Sequence, residues 1–119
     1  MNVGRYRTVA YMDKREAVRV PVRIRAQCRC SGIVIDGTVE DLSRSGMFLR
    51  APKWIRPGSS AEIDLDVPGE EPLHLCAEVV RVDEGADREG LAFRFVDDPE
   101  AVRPLANFIM RQHASSRIS

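Results

Sequence analysis

The sequence predicts a mainly β fold, six antiparallel strands in a barrel or sandwich followed by one C-terminal helix. Three observations carry this. Apolar residues recur at every second position in several separate runs, as on strands with one wet face. Short clusters of Gly, Pro, Asp and Ser divide those runs. No helical pattern is long enough to carry the chain between parallel strands, so neighbouring strands reverse direction.

Taken in order, residues 1–14 hold neither pattern and read as a flexible arm, with Tyr6, Tyr11 and Met12 available to anchor it. From Arg19 a period of two begins. Val20, Val22, Ile24, Ala26, Cys28 and Cys30 alternate with Pro21, Arg23, Arg25, Gln27 and Arg29, giving a long strand with a basic outer face. Pro21, without an N–H, places its start at an edge or end. Ser31 and Gly32 turn the chain into a second strand, Ile33 to Leu42, expected to be bent or interrupted at Asp36-Gly37. After a polar turn, Met47 to Arg50 forms a third strand, and Trp54 in the following loop is expected on the core. Residues 61–67 alternate apolar and acidic side chains. Leu73 to Val82 and Leu91 to Val96 complete the strands. Asp97, Asp98 and Pro99 signal a helix start, Pro104 being a second candidate, and Leu105, Phe108 and Ile109 form its apolar stripe up to about Gln112. These boundaries give an arm at 1–14, a single domain at 15–113 and a frayed tail at 114–119, with the helix as a lid over an open barrel end.

Composition narrows the function. With 119 residues there is room for one core. No run approaches the ~20 apolar residues of a membrane helix, and the charged N-terminus lacks a signal-peptide core, so a cytoplasmic protein without membrane insertion is expected. Net charge is zero and aromatic content 6%, which argues against a nucleic-acid polymer as partner. The balance conceals an asymmetry: residues 1–56 hold 12 basic and 5 acidic side chains, residues 57–119 hold 6 and 13. A basic half suits a small polyanion. Cys28, Cys30 and Cys76 read as reduced thiols in or near the core, and with only His74 and His113 beside them no metal site is expected. No nucleophile elbow, zinc-protease motif or phosphate-cradling Gly-rich loop is present, so the chain is not expected to be an enzyme.

Two patterns remain. Asp41, Ser43 and Gly46 make D-x-S-x-x-G at the turn between the second and third strands; Arg15 and Arg19 make R-x-x-x-R before the first. Asp and Ser bond nearby backbone in turns, and Gly is expected to supply a positive φ or close approach. Arginine pairs four apart recur at Arg19/Arg23 and Arg25/Arg29 within the strand, so the arginine pattern gains its weight from its place beside the turn.

On these residues, and on Val20-Pro21-Val22, Pro57-Gly58 and the run from Gly90 to Phe95, the chain resembles the PilZ domain family over roughly residues 14–112. The resemblance implies a six-stranded antiparallel β-barrel with a C-terminal helix and binding of cyclic di-GMP (c-di-GMP), with no cofactor. Arg15, Arg19, Asp41, Ser43 and Gly46 are the ligand residues it implies, with Lys14 as a further candidate. Many members carry another Arg at that position, and a lysine keeps the charge but loses the planar fork. The chemistry fits: guanidinium groups fork onto phosphate or guanine O6/N7, and an ionised Asp41 accepts from the guanine N1/N2 edge. The expected role is an effector whose arm around Arg15 orders over the ligand and signals to an unidentified downstream protein, as monomer or homodimer. The alternative is an interaction adaptor that binds no nucleotide.

Overall fold

The structure, a computed structural model, describes residues 18–85, 87–96 and 99–118. Six strands, β1 (Val20–Cys30), β2 (Ile33–Leu42), β3 (Gly46–Arg50), β4 (Ser60–Leu65), β5 (Leu73–Glu84) and β6 (Glu89–Phe95), precede helix α1 (Pro99–Ile118). Every pairing is antiparallel and the sheet closes in the order β1-β2-β3-β6-β5-β4, with β4 returning to β1. The barrel form expected from the resemblance is therefore the one adopted, and closure leaves no edge strand unpaired.

The period of two sets the interior. Val20, Ile24, Ala26, Cys28 and Cys30 of β1 are buried beside Ile35 and Val39 of β2, Ile63 and Leu65 of β4, and Leu75 and Val79 of β5. Ser31 (φ 52°) and Gly32 (φ 77°) form the two-residue turn between β1 and β2, both central residues having the positive φ that matches strand twist. β2 is unbroken at Gly37. A Cβ there would lie 2.6 Å from the Arg50 carbonyl oxygen, so the glycine admits a close approach of β3 where a bend was expected.

Three irregularities interrupt the ladders, between Pro21 and Ile24 of β1, between Val39 and Asp41 of β2, and between Val79 and Arg81 of β5. The second and third reverse the inside-outside parity of their strands. Beyond Glu40 it is Leu42, not Asp41, that enters the core; beyond Val80 it is Val82 that packs on the core while Arg81 is exposed. An extra residue in one strand does this because side chains alternate with each step.

Helix α1 lays Ala101, Leu105, Phe108 and Ile109 on the core and packs against β5 and β1. It continues past Gln112 to Ile118, correcting the expected end and the frayed tail from residue 114, and Pro104 lies inside it rather than at its start. The expected cap at Asp97 and Asp98 and the arm at 1–14 lie outside the described residues. Two expected core side chains are outside. Trp54 is 59% exposed and Ile55 fills the core position instead, as a loop without periodicity can anchor either neighbour. Cys76 is exposed on β5, one step out of phase with Leu75 and Ala77, whereas Cys28 and Cys30 are buried. Burial, reinforced by Cys30, pushes the Cys28 thiol up to about 11, so it stays protonated and unreactive at neutral pH.

Candidate functional site

The polar turn between β2 and β3 is held by Ser43. Its side chain is fully buried, its Oγ accepts from the backbone N–H of Ser45 (3.1 Å) and Gly46 (3.2 Å), and its own N–H donates to the Gly46 carbonyl (2.9 Å). Ser43 thus serves the turn and is closed off from any ligand in this arrangement. Gly46 does not take the positive φ expected of it; the positive-φ glycines among the described residues are Gly32, Gly58 and Gly69. Its requirement is space, since a Cβ would meet the Phe93 carbonyl oxygen at 2.2 Å. Ser45 is exposed, yet its hydroxyl lies 3.1 Å from Ser43 Oγ and its carbonyl accepts from Phe95 N–H at 2.8 Å, tying the turn to β6.

This fixed turn and the irregularity at Glu40 present Asp41 away from the core. Its carboxylate is 24% exposed and shared by two arginines, Arg19 Nη1 donating to Oδ1 at 2.7 Å and Arg88 Nη2 donating to Oδ2 at 2.8 Å. Arg88, on the turn between β5 and β6, also sets its guanidinium carbon 3.9 Å from the centre of the Phe48 ring. Phe48 alternates with Met47 and Leu49 on β3 and is itself fully buried, its ring covered by Arg88, and Gly90 leaves room for it: a Cβ there would lie 2.7 Å from Phe48 Cζ.

Around these groups opens a cleft of about 280 Å³, bordered by Arg19, Asp41, Phe48, Val80, Arg81 and Arg88. Arg81 is engaged through both Nε and Nη2 by Asp83, at 2.8 and 3.1 Å, which holds the Asp83 carboxyl below its ordinary range. The mixture of guanidinium groups, one carboxylate and apolar wall suits a planar, hydrogen-bonding anion. Among the described residues no cluster of His, Cys, Asp or Glu could hold a metal.

Of the residues proposed from sequence, Arg19 and Asp41 meet in this cleft, and Ser43 and Gly46 shape the turn behind it; Lys14 and Arg15 lie outside the described residues. Sequence reasoning missed Arg88, Arg81, Phe48 and Val80. For Val80 and Arg81 the parity break was the available signal: Val79 followed by Val82 leaves two positions outside the core where alternation allows one.

The family model for the PilZ domain matches residues 13–111. Among solved structures, the chain is similar to the PilZ domain of CeSA from a cellulose-synthesizing bacterium, with TM-score 0.61 and 21% identity over 84% of this chain and 99% of that one. It is also similar to the PilZ domain with c-di-GMP of YcgR from Escherichia coli, with TM-score 0.69 and 20% identity over 87% and 95%. A third similarity is to the Bacillus subtilis inhibitor of motility MotI/DgrA, with TM-score 0.73 and 16% identity over 86% of this chain and 52% of that one. The chain spans about half the length of that protein, and at these identities the likeness is one of fold. No curated protein matches by sequence. No helix among the described residues is long and apolar enough to cross a membrane. With a family model matched along nearly the whole sequence and a six-stranded barrel superposing on solved members, the chain belongs to the PilZ domain family.

Proposed function

We propose that this protein is a c-di-GMP-binding effector that acts by binding rather than by catalysis, in the cytoplasm. The observation that carries the reading is the outward-facing carboxylate of Asp41 set between arginines in an open cleft. A guanine presents neighbouring N1 and N2 donors to such an acceptor, and the ligand's two phosphates need cations within reach of it. The similarity to PilZ structures that contain c-di-GMP supports the same reading.

Arg19 contributes a phosphate or guanine contact, and Arg15, with Lys14 beside it, brings further positive charge as the arm folds over the ligand. Charge-assisted bonds at ~1.5–3 kcal/mol each, set against ~1–2 kcal/mol for ordering each arm residue, leave an affinity near micromolar, about −8 kcal/mol with base burial. The newly ordered arm forms the surface that a downstream protein reads. A second reading, an adaptor that binds no nucleotide, draws on the fact that both Asp41 oxygens are already partnered within the chain.

Titration calorimetry with c-di-GMP, GTP and a short RNA separates these readings. Binding of c-di-GMP alone, lost in Asp41→Ala and Arg19→Ala but kept in Arg23→Ala, is the expected result. Absence of heat with c-di-GMP at high concentration would leave the adaptor.

A further inference from the structure

We propose that Arg88 is an additional ligand-binding arginine of this site, outside both sequence motifs, which exchanges the Asp41 carboxylate for a phosphate of the bound nucleotide. The proposal rests on the c-di-GMP reading and adds to it a residue and an order of events.

The geometry supplies three reasons. First, both oxygens of Asp41 are engaged, by Arg19 at 2.7 Å and Arg88 at 2.8 Å, so a guanine edge that approaches this carboxylate competes with a guanidinium for its lone pairs. A displaced guanidinium stays charged at all relevant pH values and needs a new anion close by. The ligand that displaces it carries two. Second, Arg88 is already shaped for that exchange. Contact with the Phe48 ring at 3.9 Å fixes the plane of its fork, while the side chain remains 47% exposed along the cleft. The fork can turn from carboxylate to phosphate without losing the ring, so little ordering cost accompanies the change. Third, the other cleft arginine on the β5–β6 side is held elsewhere, because Asp83 takes Arg81 through two nitrogens. Arg88 is therefore the cation opposite Arg19 whose anion, Asp41, is the group the ligand itself engages.

The turn that carries Arg88 is anchored at its base. Arg50 Nη2 donates to the Asp87 carbonyl at 2.8 Å, and Ala51 N–H donates to the Glu89 carbonyl at 3.3 Å. This puts a cation on each side of Asp41, from chain segments 69 residues apart as numbered, Arg19 and Arg88.

The sign of one mutation decides between contact and latch. If Arg88 only occupied Asp41, its removal would free the carboxylate and tighten ligand binding. As a phosphate contact, its removal weakens binding. Calorimetry of the full chain with c-di-GMP at low and high salt is the test, using wild type, Arg88→Ala and Arg88→Lys, with folding checked by circular dichroism. The expected result is a loss of about tenfold or more in affinity for R88A, the size of one charge-assisted bond, with a shallower salt dependence. R88K falls between, because lysine keeps the charge but neither the fork nor the flat contact with Phe48. Wild-type binding with R88A unchanged or tighter, or R88K equal to wild type, overturns the role of Arg88 and leaves the c-di-GMP reading intact. No binding by wild type overturns both.

Discussion

Ser43 and Gly46 each have a structural task within the turn. The Ser43 hydroxyl is buried and takes two backbone N–H groups, that of Gly46 in a fully buried bond, and Gly46 sits where β3 and β6 approach too closely for any side chain. Ser43→Ala strands those donors and is expected to cost ~1–3 kcal/mol. Gly46→Ala forces a methyl group against the Phe93 backbone, which cannot rotate away, and is expected to cost ~1–3 kcal/mol. Urea unfolding of both variants checks this. A variant as stable as wild type would assign the residue to the ligand instead of the turn.

At the scale of elements, the irregularities in β2 and β5 do the positioning. Without the extra residue at Glu40, strict alternation would continue from Val39 to Asp41 and bury the carboxylate; with it, Leu42 takes the core position and Asp41 turns out. On the opposite wall β1, β4 and β5 share a polar cluster in which Arg29 and His74 hold Asp64, at 2.7 and 2.8 Å. Arg29 chiefly, then His74, keeps the Asp64 carboxyl below its ordinary value. A carboxyl lowered in the folded state stabilises above its unfolded value and loses that contribution as pH falls through the lowered one. The group is largely exposed, so the gain at neutral pH is screened to ~0.2–1 kcal/mol. Asp64→Asn should therefore be less stable than wild type at pH 7, and the gap should close as pH drops below about 4. Unfolding midpoints at pH 7, 5 and 3 measure it; a gap that does not narrow between pH 5 and pH 3 would place the effect in packing.

For the molecule as a whole, a closed barrel gives a rigid frame to a site whose parts come from distant segments. Arg19 precedes β1, Asp41 ends β2, Phe48 lies on β3 and Arg88 joins β5 to β6. A ligand that bridges these segments binds the folded state alone, so it raises the unfolding free energy by mass action. At a hundredfold excess over its dissociation constant, c-di-GMP should add ~2.7 kcal/mol, seen as a rise of several degrees in the melting temperature. Asp41→Ala should melt at the same temperature with and without the nucleotide. A shift retained in that variant would move the site elsewhere.

The strands, most of their turns and the inward faces of β1 and β4 were legible in the sequence, because strand periodicity and turn chemistry are local properties. Asp41 and Arg19 were singled out by motif, and both border the cleft. The misread positions share one cause. Trp54, Cys76 and the far end of α1 were judged from neighbours in sequence, whereas burial depends on which distant surface arrives opposite them. Arg88 and Phe48 carry no local mark at all. They meet because β3 pairs with β6 and Gly90 leaves room between them. Alternation and turn residues a few positions apart were enough for an antiparallel, mainly β fold and for the polar turn, while the choice of barrel over sandwich came from the family resemblance and is seen in the closed strand order. That Asp41 faces outward and that Arg19 and Arg88 share it emerges in three dimensions alone, because strand register and closure, not chain order, bring those charges together.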